Sequence, residues 1–204
     1  MSEPLSSSGL RIIYNSLLLV TSGLTARKLS MLKHPFAFGA CVVGGAVAVL
    51  GLLRGFYGND RDPEQFQMLR DVSHGVLELV PLPLVNMELY TIRLGVGPMV
   101  IGHGIFVLPL LIDLHCSVVK ERKNCWFAET LRDLLLLGNI VSLGYLAVRE
   151  SSSLYMRMAF TMVVIKYTPV VLDNIHDNTG EDMLVYGSAL FFYLLGRADV
   201  LTAD

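Results

Sequence analysis

One histidine lies inside an apolar stretch of the chain, in the sequence Gly102-His103-Gly104. An ionisable side chain within such a segment marks a candidate functional site, because its charged form is costly away from water. A neutral imidazole ligates haem iron, and the flanking glycines leave room for a flat macrocycle or a quinone. His103 is therefore a candidate ligand for haem b or quinone. A neutral histidine that hydrogen-bonds to a neighbouring helix is the favoured interpretation.

The segment that begins at His103 and ends at Asp113, HGIFVLPLLID, resembles the His-then-Asp helix of the succinate dehydrogenase membrane anchors. This resemblance implies a membrane-anchor subunit in which His103 ligates haem b or lines a quinone pocket. On that interpretation the chain is a non-catalytic part of an oxidoreductase.

A second ionisable group within an apolar segment is Lys166, in MAFTMVVIKYTPVVL. Its aliphatic stem can carry the ammonium toward water, or a carboxylate such as Asp173, seven residues on and on roughly the same helix face, can pair with it. A proton or ion pathway would use Lys166 with Glu78 or Glu88. A small transporter or channel is thus an alternative function.

Acidic and imidazole side chains cluster toward the C-terminus, at Asp173, His176, Asp177, Glu181 and Asp182. These groups suit zinc or a hard cation, but the order Asp-x-x-His-Asp fits no ligand-spacing rule for either. We therefore expect a solvated loop and no metal site. The chain also lacks a nucleophile elbow, a P-loop and a dinucleotide-binding glycine motif, so we predict no catalytic residue.

The elements that must position these residues follow from the composition of the chain. Of its 204 residues, 53% are hydrophobic and 17% are charged, whereas about a quarter are charged in soluble domains. The net charge of −2 provides no basic field for nucleic acid. The composition predicts an all-α, polytopic helical membrane protein with a single membrane domain over residues 34–204.

Two segments, 36–53 and 94–112, are long and apolar enough to predict membrane spans. Shorter apolar segments lie at 12–26, 134–148, 158–172 and 183–196. We predict about four transmembrane helices, with a range of three to six, and short interfacial helices. Pro81 and Pro83 disfavour a continuous helix over 74–93, so we expect an interfacial or re-entrant stretch there that leads into a helix from about Leu84.

Small residues recur along the first predicted span, at Ala40, Gly44, Gly45, Ala48 and Gly51. Small side chains spaced four apart let helix backbones approach closely. This spacing predicts a helix-packing face, which contacts either another chain or another helix of the same bundle.

The first 33 residues contain seven serines, four basic residues and one acid. This composition is typical of a mitochondrial transit segment, and an amphipathic helix on the membrane surface is the alternative. Basic residues near the predicted membrane edges are candidate ligands for phospholipid head groups such as those of cardiolipin. They are Arg27, Lys28, Lys33, Lys120, Arg122 and Lys123. Counted over four spans, the basic residues predict that the N-terminus lies in the matrix.

Together these patterns favour a non-catalytic accessory subunit of a larger membrane complex, in a respiratory-chain or ATP synthase assembly of the mitochondrial inner membrane. Several predicted spans are short for a bilayer, and neighbouring subunits would cover them. The expected partners are other membrane subunits and the lipid bilayer, with a structural phospholipid such as cardiolipin. A haem- or quinone-binding anchor and a small transporter are the alternatives.

Overall fold

The chain folds into a bundle of helices. A computed structural model describes residues 4–57, 63–95, 97–112, 126–172 and 179–198. Within these residues the helices are α1 (Pro4–Lys28), α2 (Pro35–Tyr57), α3 (Pro63–Leu79), α4 (Pro81–Leu94), α5 (Pro98–Ile112, with a 3-10 turn at Gly104–Phe106), α6 (Trp126–Arg149), α7 (Ser153–Leu172) and α8 (Thr179–Leu195). The same residues contain no strand, so the all-α prediction is confirmed.

Of the helices whose preceding residue is described, three open with proline, at Pro35, Pro81 and Pro98. The fixed φ of proline suits the first helical position, where an N–H group would have no helical acceptor. Proline therefore determines where these helices begin.

Three helical stretches of the described residues are long and apolar enough to cross a membrane: Pro35–Phe56, Met68–Leu94 and Thr130–Arg149. The first confirms the prediction for 36–53. The predicted span over 94–112 is not one continuous helix, because the chain turns at Gly95, whose φ is 78°, and α5 begins only at Pro98. The described part of α5, Pro98–Ile112, rises about 22 Å.

The second candidate span corrects the prediction of an interfacial or re-entrant stretch around Pro81 and Pro83. Only Val80 separates α3 from α4. The two prolines occupy the first and third positions of α4, whose N–H groups lack helical acceptors in any case. Leu84 N–H already donates to the Val80 carbonyl at 3.3 Å. Residues 68–94 therefore form one apolar helical stretch with a break at Val80.

α1 runs antiparallel to α2 and packs on its small residues. A Cβ on Gly45 would lie 3.6 Å from Ser22 Oγ, and a Cβ on Gly51 would overlap the Asn15 side chain. On the same helix, a Cβ on Gly44 would overlap Phe192 of α8. Ala40 and Ala48 are fully buried. The predicted helix-packing face is thus occupied by helices of the same chain.

The N-terminal segment is part of the bundle. Leu18 and Leu29 are buried in the same core as residues of α2 and α8. Because α1 runs antiparallel to α2, the start of α1 and the loop at 29–34 lie at opposite ends of the bundle. The orientation prediction counted Arg11 on the same side as Arg27, Lys28 and Lys33, whereas the length of α1 separates Arg11 from the other three.

α1 buries its polar side chains and exposes apolar ones. The exposed residues are Leu10, Ile13, Leu17, Val20 and Leu24, and the buried polar residues are Asn15, Ser22 and Thr25. A surface helix of a soluble protein has the opposite arrangement. Large exposed apolar side chains also occur on α2, α5, α6, α7 and α8. An apolar surface of this extent suits lipid or a protein partner.

Candidate functional site

His103 of α5 contacts both α4 and α6. Its Nδ1 lies 2.7 Å from Asn139 Oδ1, and its Nε2 lies 3.2 Å from Ser142 Oγ. The ring of Tyr90 on α4 is tilted against the imidazole, with 5.0 Å between the ring centroids. Both ring nitrogens therefore lie within hydrogen-bond distance of a side chain of α6. Haem ligation through Nε2 would replace the Ser142 contact, and ligation through Nδ1 would break the bond to Asn139.

A polar network between α4 and α6 holds the partners of His103 in place. Asn86 Nδ2 donates to the Asn139 carbonyl at 2.9 Å and to Asn139 Oδ1 at 3.1 Å. The Tyr90 hydroxyl donates to the Ser142 carbonyl at 3.0 Å, and the Ser142 hydroxyl donates to the Tyr90 hydroxyl at 2.7 Å. Each of these hydrogen bonds forms only in one alignment of α4 along α6, so the network determines the register of these two helices.

Asn86 leaves one atom of this network without a partner. Its Oδ1 is buried and accepts no hydrogen bond from the described residues. A buried acceptor left unpaired costs about 1–3 kcal/mol. A donor bound there, such as a water molecule, would lower that cost.

The sequence identified His103 but not the four polar residues around it. A signal for two of them was present, because Asn139 and Ser142 interrupt the apolar run LLLLGNIVSL. Amide and hydroxyl groups in such a run need partners on other helices. Which helix supplies the partners depends on how the bundle packs, and no local pattern in the sequence indicates that packing.

Lys166 lies between two carboxylates from other helices. Its Nζ is 2.9 Å from Glu78 Oε1 on α3 and 2.5 Å from Asp133 Oδ1 on α6. Arg132 Nε lies 4.0 Å from the other Glu78 oxygen. We refer to these four residues as the charged cluster. The pairing of Lys166 with Glu78 is the one that a transporter hypothesis requires, whereas Asp133 was not predicted.

The charged cluster lies within the apolar outer surface of the bundle. Val43 of α2 packs against an apolar group of α3, α4 and α5 that includes Leu79, the residue after Glu78, so the charged cluster lies at a level about 12 Å along a helix about 34 Å long. Asp133 also lies one turn inside the candidate span Thr130–Arg149. Its side chain is 55% exposed. A half-exposed carboxylate therefore faces whatever medium surrounds this surface.

Glu88 is not part of the charged cluster and has a different role. It is only 2% exposed, and its Oε2 accepts hydrogen bonds from the N–H groups of Phe36 at 2.9 Å and Ala37 at 3.2 Å. His34 Nδ1 lies 3.3 Å from the other oxygen. The two N–H groups belong to the first turn of α2, where helical acceptors are missing and the dipole is positive. Glu88 of α4 thus caps a neighbouring helix.

Basic side chains gather at one end of the bundle, which we call the basic end. Lys28 Nζ donates to the Gly196 carbonyl at 3.0 Å, which joins the C-termini of α1 and α8. Arg93 Nη1 lies 3.4 Å from Glu150 Oε2, which joins those of α4 and α6. Glu88 of α4 contacts the start of α2. This contact places the C-termini of α1, α4, α6 and α8 at the same end of the bundle. The basic end comprises Arg27, Lys28, Lys33, Arg93, Arg149 and Arg197.

Some predicted ligands lie outside the described residues. They are Asp173, His176 and Asp177 of the acidic and imidazole cluster, and Lys120, Arg122 and Lys123 of the candidate lipid ligands. The side chain of Glu181 is likewise outside them. Within the part of the chain that is described, no group of three His, Cys, Asp or Glu side chains is placed to hold a metal ion.

The fold and these sites define an all-α bundle with membrane-length helices, an apolar exterior and a few buried polar contacts. The chain belongs to the family described as Domain of unknown function (DUF4791), whose model matches residues 32–198. No curated protein and no solved structure matches the chain. The matched region begins after α1 and ends after α8, so the polar network, the charged cluster and the Glu88 cap all lie inside it.

Proposed function

We propose that this protein is a non-catalytic subunit of a larger membrane complex, and that its helices pack against partner helices and lipids. The observation that carries the proposal is the exposure of Asp133 within an otherwise apolar outer surface. An ionised carboxylate that faces lipid costs up to about 3 kcal/mol on insertion scales. Lys166 offsets part of that cost, and a partner chain that covers Asp133 would remove the rest.

The interior of the bundle supports the same proposal. The buried polar side chains Asn86, Asn139 and Glu88 connect helices to one another. Both nitrogens of His103 are engaged in the same way. These contacts position helices and leave no group poised for covalent chemistry, so assembly is the function that they serve best.

The proposed location is the mitochondrial inner membrane, in a respiratory-chain or ATP synthase assembly. The Ser-rich, acid-poor composition of the first 33 residues supports it. The positive-inside rule would place the basic end in the matrix and the N-terminus on the opposite side. Cardiolipin is the structural lipid that suits this membrane and this charge distribution.

We expect the chain to migrate with other membrane proteins when the native membrane is extracted in mild detergent and resolved on a native gel. Subunit contacts that bury apolar surface persist under such conditions, and mass spectrometry of the excised band identifies the partners. A chain that migrates alone as a monomer or homodimer, at every detergent concentration that preserves known complexes of that membrane, would show that the proposal is wrong.

A second candidate function, a proton or ion transporter, is favoured by one specific observation. The structure brings Lys166 and Glu78 together with Asp133 inside the apolar surface, and ionisable groups there commonly mark ion pathways. On this hypothesis water, and not a partner chain, surrounds Asp133.

A cysteine at position 133 distinguishes these two functions. In a chain with Cys116→Ser and Cys125→Ser, we expect Asp133→Cys to resist a membrane-impermeant maleimide in native membranes and to react after purification in detergent, because a partner covers it only in the complex. Cys41 is buried and stays silent. Ser30→Cys, in the exposed loop after α1, is the reactive control, and the membranes are opened so that the reagent reaches both faces. Labelling of position 133 in native membranes as fast as that of position 30 would favour the transporter.

A further inference from the structure

We propose that the basic end binds the phosphate groups of anionic phospholipids. This inference requires that the bundle is embedded in a membrane, as the proposed function does, but it does not require a partner chain. The argument rests on the excess of cations over carboxylates among the described residues of this end, on an apolar loop among the cations, and on the contact that brings α1 and α8 together.

Cations outnumber carboxylates among the described residues of the basic end. Among the described residues its six cations face two carboxylates, Glu88 and Glu150. Glu88 is buried on the α2 N-terminus, and Glu150 is paired with Arg93. The helix termini that meet here, four C-terminal and three N-terminal, contribute about half a negative charge at roughly 0.5 charge each. Among the described residues, the six cations therefore exceed the two carboxylates and the small contribution of the helix ends.

Four of the six cations lie together around α1 and α8. Arg27, Lys28, Lys33 and Arg197 are all exposed. The bond between Lys28 and the Gly196 carbonyl holds Arg197, the next residue, beside the end of α1. The guanidinium of Arg197 also lies 5.2 Å above the centre of the Tyr193 ring, which orients it. Arg197 was not among the lipid ligands predicted from the sequence.

The loop between α1 and α2 adds an apolar element to this charged surface. Leu32 is 96% exposed and Met31 is also exposed, and Arg27, Lys28 and Lys33 lie on either side of them in the chain. An apolar tip among basic residues is the composition of a segment at a membrane interface, where the cations meet phosphate and the apolar side chains meet acyl chains. This combination favours a phospholipid over free phosphate, which would use only the cations.

The test is lipid retention by the purified full-length chain. Protein in neutral detergent is mixed with phosphatidylglycerol and phosphatidylcholine at equal concentration, and native mass spectrometry counts the bound lipids. We expect phosphatidylglycerol to be retained preferentially. The triple variant Arg27→Gln, Lys33→Gln and Arg197→Gln should weaken that preference roughly a hundredfold, at about fivefold for each cation. Lys28 is kept because it also bonds the end of α8.

The control is an equal charge change at the opposite end, Arg11→Gln, Arg54→Gln and Arg70→Gln. It should leave lipid selectivity within about twofold of the unmodified chain, because the expected effect is local. Equal retention of the two lipids, or an equal loss in both triple variants, would overturn the proposal. Displacement of the lipid by millimolar inorganic phosphate would show that the site recognises phosphate alone. Because these measurements use the isolated chain, they can fail while the subunit proposal stands.

Discussion

Replacing Glu88 with alanine is expected to lower the free energy of unfolding by about 3 kcal/mol. The substitution leaves the N–H groups of Phe36 and Ala37 without an acceptor in a buried environment and removes the partner of His34. It also detaches the start of α2 from α4. Reversible unfolding of the detergent-solubilised chain, followed by circular dichroism against denaturant concentration, measures the change.

Two variants make the Glu88 result specific. Glu88→Gln retains one oxygen that can accept both N–H groups but loses the charge, so its expected loss is smaller, about 1 kcal/mol. Glu150→Ala removes a carboxylate from the more exposed pair with Arg93 and should cost less than about 1 kcal/mol. If Glu88→Ala were no more destabilising than Glu150→Ala, the capping role assigned to Glu88 would be incorrect.

Replacing Gly44 with leucine is expected to have an effect of similar size, a loss of about 3 kcal/mol or a failure to fold. A Cβ at this position would overlap the Phe192 ring, with only 2.7 Å to Cζ. Phe192 is fully buried and packs edge-on against Phe191, so a shift of its ring would disturb the core packing. α2 and α8 would have to separate. Thermal unfolding and the yield of folded protein report the effect.

Gly23→Leu is the matched control for Gly44. Gly23 is also a helical glycine, but it is exposed on α1 and a Cβ there would meet nothing within 4 Å. This substitution should stabilise α1 by a few tenths of a kcal/mol or leave it unchanged. In a double-mutant cycle, Phe192→Leu should rescue part of the loss caused by Gly44→Ala. Strictly additive effects would show that Gly44 and Phe192 do not contact each other as described.

The two residues behind these expected effects are not the ones that the sequence marks as candidates for chemistry. His103 and Lys166 attract attention because ionisable groups are rare in apolar segments. Glu88 and Gly44 stand out less in the sequence. A carboxylate near prolines, or one glycine among several, occurs in many structural roles. Their importance follows from what lies opposite them, the open first turn of α2 and the ring of Phe192.

Helical class and the approximate positions of most helices could be predicted from local information. Apolar content, proline at helix starts and the run at 36–53 required no knowledge of the fold. The same local rules failed at two places. Proline disfavours a helix interior, but Pro81 and Pro83 lie in the first turn of α4, which accepts both. Apolar content predicts one span over 94–112, but Gly95 adopts a left-handed conformation that ends α4.

The sequence alone also determined that His103, Lys166 and the small residues of α2 would need partners. In an apolar environment an ionisable side chain needs a polar partner, and a face of small residues needs a closely packed helix. The identity of the partners was decided only by the tertiary structure. Asn139 and Ser142 meet His103 from 36 and 39 residues away, and Glu78 meets Lys166 from 88 residues away. Such pairings arise from the crossing of whole helices, whose energetics are spread over many apolar contacts that no short motif records.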